Sequence, residues 1–260
     1  MSFKLFPKLK SQDNTLKMKK KFALFVFLLC LFSMLSCRNS SSRGKSKHEQ
    51  VRNNSEQFQP NKSVRGQSIK RSKSPLSGSE IFKRYNNAVF MVFTSDGRNN
   101  YQGSGFFIAE NGLAVSNYHV FEGTTIGKEA IKLANDDKTY YKILDVVYKS
   151  KEHDFIIFYV DYDNSCYIPM AKNRPSIGDK TFAIGSPLGL ENTFSSGEVS
   201  QWRGENLMQI SALIDHGSSG GALINEYGEA VGITSGTFAD GSQANLNYAW
   251  SIEVIKPYVR

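Results

Sequence analysis

An all-β fold of two antiparallel six-stranded β-barrels, with short N- and C-terminal helices, is what this sequence predicts. Three observations carry that expectation. Twelve short strand-like runs follow one another from residue 88 to the C-terminus, punctuated by Gly, Asn and Asp, the residues that turns require. They fall into two groups of six, and many short strands with long-range closure form barrels. The 260-residue chain also holds 21 Gly, 18 Phe and 12 Tyr, a composition that leans toward strands.

The elements are expected in this order. Residues 79–85, Ser-Glu-Ile-Phe-Lys-Arg-Tyr, start polar and read as a short helix. The first six strands are expected at 88–94, 103–109, 113–118, 130–134, 140–148 and 155–160. The second six are expected at 180–184, 193–201, 207–213, 221–224, 230–234 and 246–252. A helical stub over 253–259 ends the chain.

Ahead of the folded region, 77–260, the texture differs. Residues 17–21 are Lys-Met-Lys-Lys-Lys, and 22–35 carry no charge and a single hydroxyl, Ser33. A basic start, an apolar stretch and a small residue before a cut describe a secretory leader over 1–37. Fourteen helical residues reach about 21 Å, short of the ~30 Å a membrane span needs. Met34-Leu35-Ser36-Cys37 resembles the lipobox of bacterial lipoproteins, which implies acylation of Cys37. Plain secretion and an uncleaved anchor are the alternatives. Residues 38–76 are rich in Ser, Arg, Lys, Asn and Gln. Such a stretch buries too little apolar surface to offset ordering entropy and reads as a disordered basic linker.

Charge separates the same regions. Residues 1–21 carry net +6, 38–75 net +8 and 76–260 net −6, which sums to the chain's +8. The folded part is therefore acidic, against what a nucleic-acid-binding domain would carry. Three cysteines, Cys30, Cys37 and Cys166, make no disulfide framework. There is no CxxC or HExxH, and the four histidines are scattered, so no metal site is expected and no cofactor is implied.

Three motifs carry chemistry. Gly217-Ser218-Ser219-Gly220-Gly221 precedes an apolar strand. A Ser on so glycine-rich a turn can present its hydroxyl beside backbone N–H groups able to hold an oxyanion. Alone, such a loop is more often only a loop. Asn117-Tyr118-His119-Val120 places a His at a strand exit. Asp154 abuts the apolar strand 155–160, partly desolvated and in want of a donor. Asp161 and Asp163 are rival carboxylates in the polar loop after that strand.

The chain order His119, Asp154, Ser219 is that of chymotrypsin-like triads. The sequence resembles the trypsin-like serine proteases, and within them the HtrA/Deg branch. Gly103 to Ile108 looks like the family's GSGF-I strand, and Asn117 to Val120 like its TNxHV. Ala183 to Leu190 looks like AIGNPxGL, Ser196 to Ser200 like SGIVS, and Gly217 to Leu223 like GNSGGAL. The resemblance covers about residues 79–258. It implies Ser219 as nucleophile, His119 as general base, Asp154 as its orienting carboxylate, and the amides of Gly217 and Ser219 as oxyanion hole. Ser218 stands where Asn or Asp is usual, so anchoring of the loop is expected to differ.

The resemblance also implies a specificity pocket lined by 210–213 and 234–237, with Leu213, Thr234, Ser235, Gly236 and Thr237 as substrate-binding residues and Ser235 as a partner for Asp154. Ala212 and Leu213 offer no carboxylate, so an apolar P1 side chain is expected, with Asp215 nearby as the main threat to that expectation. The reading is an envelope serine endopeptidase acting on protein or peptide substrates, held to a membrane by a lipidated N-terminus. The alternative is a catalytically inactive, protease-fold peptide-binding module. A PDZ domain, frequent in this branch, is expected to be absent, since the chain ends at Arg260. The resemblance allows a homo-oligomer.

Overall fold

The computed structural model describes residues 71–125, 127–136, 138–186, 192–238 and 246–259, all within one compact unit, Ser63–Arg260. The expected leader with Cys37, and the linker up to residue 70, lie outside the described residues.

Helix α1, Gly78–Tyr85, is one residue longer at its start than its sequence suggests. Ser77 caps it. The Ser77 hydroxyl accepts from Glu80 N–H, and the Glu80 carboxylate accepts from Ser77 N–H, a reciprocal box that satisfies two otherwise unpaired donors. The Ser77 hydroxyl also donates to Glu80 Oε2 at 2.7 Å, and this bond, with that from Ser77 N–H, holds the Glu80 carboxyl below its ordinary range.

Twelve strands follow: β1 Val89–Ser95, β2 Asn100–Phe107, β3 Leu113–Ser116, β4 Ala130–Leu133, β5 Ile143–Ser150 and β6 Phe155–Val160, then β7 Lys180–Gly185, β8 Thr193–Arg203, β9 Leu207–Ile210, β10 Ala222–Asn225, β11 Ala230–Phe238 and β12 Leu246–Ser251. The first six form an antiparallel sheet in the order β4-β1-β2-β3-β6-β5. One bridge, Ile131 to Tyr141, joins β4 to the segment entering β5. The second six form a closed barrel, β10-β11-β12-β9-β8-β7. This is consistent with the expected two-barrel fold, with the second barrel closed by strand ladders and the edges of the first meeting, among the described residues, at the Ile131–Tyr141 bridge. At the C-terminus the expected helix is two 3₁₀ turns, Ile252–Val254 and Lys256–Tyr258. Pro257 supplies no N–H with which to extend an α-helix.

Side chains along the central strands alternate between two cores. In β6, Phe155 and Ile157 enter a cluster shared by the two sheets, while Ile156, Phe158 and Val160 fill the interior of the first. That double burial explains why Phe-Ile-Ile-Phe is apolar without interruption. β10 divides likewise, with Ala222 and Ile224 in the shared cluster and Leu223 inside the barrel. The cleft above this shared cluster is where the candidate residues converge.

Candidate active site

Strand register brings His119 and Asp154 together. β3 and β6 pair antiparallel with Ser116 opposite Ile156, so the exit of one lies beside the entry of the other. His119 sits in the 3₁₀ turn Tyr118–Val120 after β3. Asp154 closes the turn before β6 with φ +48°, a left-handed conformation unusual for a residue with a side chain. The buried side chain of Asn117 donates from Nδ2 to the Asp154 carbonyl at 2.8 Å and holds that backbone in place. The Asp154 carboxylate then accepts from His119 N–H at Oδ1, 2.9 Å, and meets His119 Nδ1 at Oδ2, 2.8 Å. Two contacts to one residue fix the ring and direct Nε2 away from the carboxylate.

A third donor reaches Asp154 from the other sheet. The β11–β12 register shifts between Thr234 and Gly236, leaving Ser235 as the bulged residue. A bulge re-aims its side chain, and Ser235 Oγ donates to Asp154 Oδ2 at 2.7 Å. The expected contact between Ser235 and Asp154 is therefore present, and Ser235 is turned from the pocket wall. Asp161 and Asp163, beyond the far end of β6, make no contact with His119 among the described residues.

Ser219 lies on the turn entering β10. Gly220 N–H donates to Thr234 O at 2.7 Å and Thr234 N–H to Gly221 O at 2.9 Å, so β11 clamps the turn. Gly220 has φ +89°, and a Cβ there would collide with Ser104 O and Ser116 Oγ; only Gly fits. The Ser218 carbonyl accepts from Thr234 Oγ1 and from Gly221 N–H, and Ser218 N–H donates to Asp215 O. With Ser at 218, the loop is anchored by backbone bonds and by the hydroxyls of Thr234 and Ser104. The amides of Gly217 and Ser219 donate to no protein acceptor among the described residues.

His119, Gly217 and Ser219 line one cavity of about 260 Å³, together with Tyr101, Gln102, Val120 and His216. No hydrogen bond joins His119 to Ser219 among the described residues; in ligand-free sites such bonds are often long and tighten with substrate. The Tyr101 hydroxyl donates to Asp96 Oδ2, which raises its pKa. The amides of Asn99 and Arg98, with that hydroxyl, hold Asp96 well below the usual carboxylate range. The β1–β2 turn beside the cavity is thereby fixed by its own anion.

A second cavity, about 610 Å³, opens on the other side of Ser219. Leu213, Thr234 and Gly236 line it as expected, with Ala183, Ile184 and Phe194. Ile210 and Ala212 do not, since both are buried in the barrel interior. Thr237 stands in β11 opposite Asn247. Asp215 borders the same cavity. Cys166 is remote from both cavities, and burial pushes its thiol up to about 11, so it is a poor nucleophile near neutrality. No cluster of three or more His, Cys, Asp or Glu side chains suited to a metal ion occurs among the described residues.

The trypsin-like peptidase domain matches residues 103–233, half of the chain. The chain belongs to this family. Periplasmic serine endoprotease DegP of Escherichia coli is 34% identical over 166 residues, which is 59% of this chain and 34% of that protein. The mitochondrial serine protease HTRA2 of Drosophila virilis is 29% identical over 169 residues, 60% of this chain and 38% of that protein. This trypsin-like chain thus spans little more than a third of the length of either relative. A crystal structure of the serine endoprotease from Yersinia pestis superimposes with a TM-score of 0.61 at 27% identity, covering 71% of this chain and 66% of that one.

Three positions beside the site are not singled out by the sequence: Asn117 and Ser104, which sit inside longer motifs, and His216, which lines the smaller cavity. Ser104, fully buried, lies between two glycines in β2, and a buried hydroxyl in such a place signals a hydrogen-bonding duty.

Proposed function

We propose that the protein is a serine endopeptidase of the bacterial cell envelope. The observation that carries this reading is His119 locked to Asp154 at 2.8 Å across one cavity from Ser219. Ser219 Oγ attacks the scissile carbonyl carbon, and its proton passes to His119 Nε2. The resulting oxyanion is held by the amides of Gly217 and Ser219. Collapse expels the amine, which takes the proton from His119, and leaves an acyl group on Ser219. Water, deprotonated by His119, then releases the acid and restores the serine. Asp154 orients the ring and stabilises its charged form throughout.

The cavity of about 610 Å³ receives the P1 side chain. Its walls of Leu213, Ile214, Ala183, Ile184 and Phe194 favour an apolar group. The Asp215 carboxylate accepts from His216 N–H at 2.7 Å, which commits one of its oxygens. Cleavage of a peptide library by the full chain tests both points. Cuts after Val, Leu, Met or Ala are expected, and none with Ser219→Ala. A majority of cuts after Lys or Arg would make Asp215 the recognition carboxylate and overturn the apolar preference.

The periplasmic name of DegP supports an envelope location, and the leader reading supports attachment through acylated Cys37, with 38–76 as tether to the domain at 77–260. A fatty-acid analogue fed to cells should mark the wild type and not Cys37→Ala; equal marking would dismiss the lipoprotein reading.

A further inference from the structure

Ser104 belongs neither to the triad nor to the lining of either cavity beside Ser219. Yet every polar group it owns is committed around the nucleophile loop. Its N–H donates to Ser219 O at 2.7 Å. Its carbonyl accepts from Ser116 Oγ at 2.7 Å. Its hydroxyl accepts from Ser186 N–H at 2.9 Å and donates to Gly217 O at 2.7 Å. A hydroxyl has one proton to give, and this one goes to the residue expected to supply an oxyanion donor.

Gly217 needs such a partner. It sits at φ +94°, where glycine meets little torsional resistance, so its own backbone preference does not fix the 217–218 peptide. The next carbonyl along, Ser218 O, is already held by Thr234 Oγ1. Ser104 Oγ is the matching clamp on Gly217 O, supplied from the first sheet. Rotation of the 217–218 peptide would break both that bond and the one from Ser218 N–H to Asp215 O. That peptide lies between the two that carry the Gly217 and Ser219 N–H groups, so holding it in place limits the movement of both amides beside the cavity that Gly217 and Ser219 line. We propose that Ser104 is a positioning residue that keeps the oxyanion-binding amides formed by clamping the Gly217 carbonyl. The proposal rests on the reading of Ser219 as nucleophile.

The test compares full-length wild type with Ser104→Ala, counting competent sites by titration with a fluorophosphonate. Loss of the clamp is expected to lower kcat per titrated site by roughly ten- to hundredfold, somewhat less than deletion of an oxyanion donor itself, with KM within about twofold. Affinity for a peptide aldehyde, whose hemiacetal places an oxygen where the oxyanion forms, should fall in parallel, while affinity for a product-like peptide holds. Ser104→Cys keeps a weaker donor; it is expected to lie between the two, and it carries the comparison if Ser104→Ala does not fold. A clamp-free variant with wild-type kcat per site, or one that loses aldehyde and product-like peptide equally, would overturn the proposal. Turnover that survives Ser219→Ala would instead overturn the reading beneath it.

Discussion

The first sheet, β1 to β6, meets its own edges, among the described residues, at the Ile131–Tyr141 bridge. Its interior is aromatic, with Phe90, Phe107, Phe121 and Phe158. The second, β7 to β12, closes through an unbroken ladder and is filled by smaller side chains such as Ala183, Val199, Ala212, Val231 and Ala249. The division extends to chemistry. His119 and Asp154 come from turns of the first sheet, and Gly217 and Ser219, whose amides donate to no protein acceptor among the described residues, from the turn entering β10 of the barrel. The two halves are tied by short polar side chains: Ser104 to Gly217, Ser235 to Asp154, Gln102 to Ser186 and Asn192 to Val89. In the proposed mechanism one half moves protons, the other holds developing negative charge, and hydroxyls and amides tie the two together.

The largest effect that would sharpen this division is Asp154→Asn. It keeps the shape but presents an amide where His119 Nδ1 needs an acceptor, favouring the wrong tautomer. Steady-state assays are expected to show kcat down by about 10⁴-fold with the fold intact by circular dichroism. Near-normal turnover would mean that the proton-handling half has been misassigned.

A smaller effect tests the tie between halves. Ser235→Ala removes the one donor that the barrel sends to Asp154 Oδ2. A hydrogen bond to a charged group is worth about 1.5–3 kcal/mol, so kcat is expected to fall roughly tenfold or somewhat more. An unchanged kcat would show that the first sheet orients its own imidazole unaided.

Much of this arrangement is legible in the sequence, and most of what is not has a common cause. Strand-like runs bounded by turn residues place all twelve strands within a few residues, and the glycine-rich turn at 217–221 announces a constrained serine. The role of Ser235 depends on a one-residue bulge in the β11–β12 ladder, and that of Ser104 on which carbonyl faces it across two sheets. Both are matters of register between distant segments, which local pattern does not encode. The pocket wall is misread at Ile210 and Ala212 for a different reason, since both side chains are buried in the barrel interior and only Leu213 of that segment lines the cavity.

The smallest predicted effect concerns the seam between the halves. Tyr85 is fully buried in the shared cluster, and its hydroxyl has no hydrogen-bond partner among the described residues. Burial pushes its pKa up from 10.0 to about 12, with Arg84 opposing in part. The folded state therefore binds the proton more tightly than the unfolded chain. Its contribution is fully present below pH 10 and lost as pH rises toward 12. Urea titrations of Tyr85→Phe are expected to match wild type within about 1 kcal/mol at neutral pH and to decline less between pH 10 and 12. Parallel decline in both proteins would place that titration outside the seam.

The most direct measurement is covalent. The full chain is treated with a fluorophosphonate and the adduct is mapped by mass spectrometry, alongside Ser219→Ala and His119→Ala. A single adduct on Ser219, absent from the first variant and formed far more slowly in the second, is the predicted result. An adduct on another serine, or labelling of Ser219 at the same rate without the imidazole, would contradict the division of labour described above.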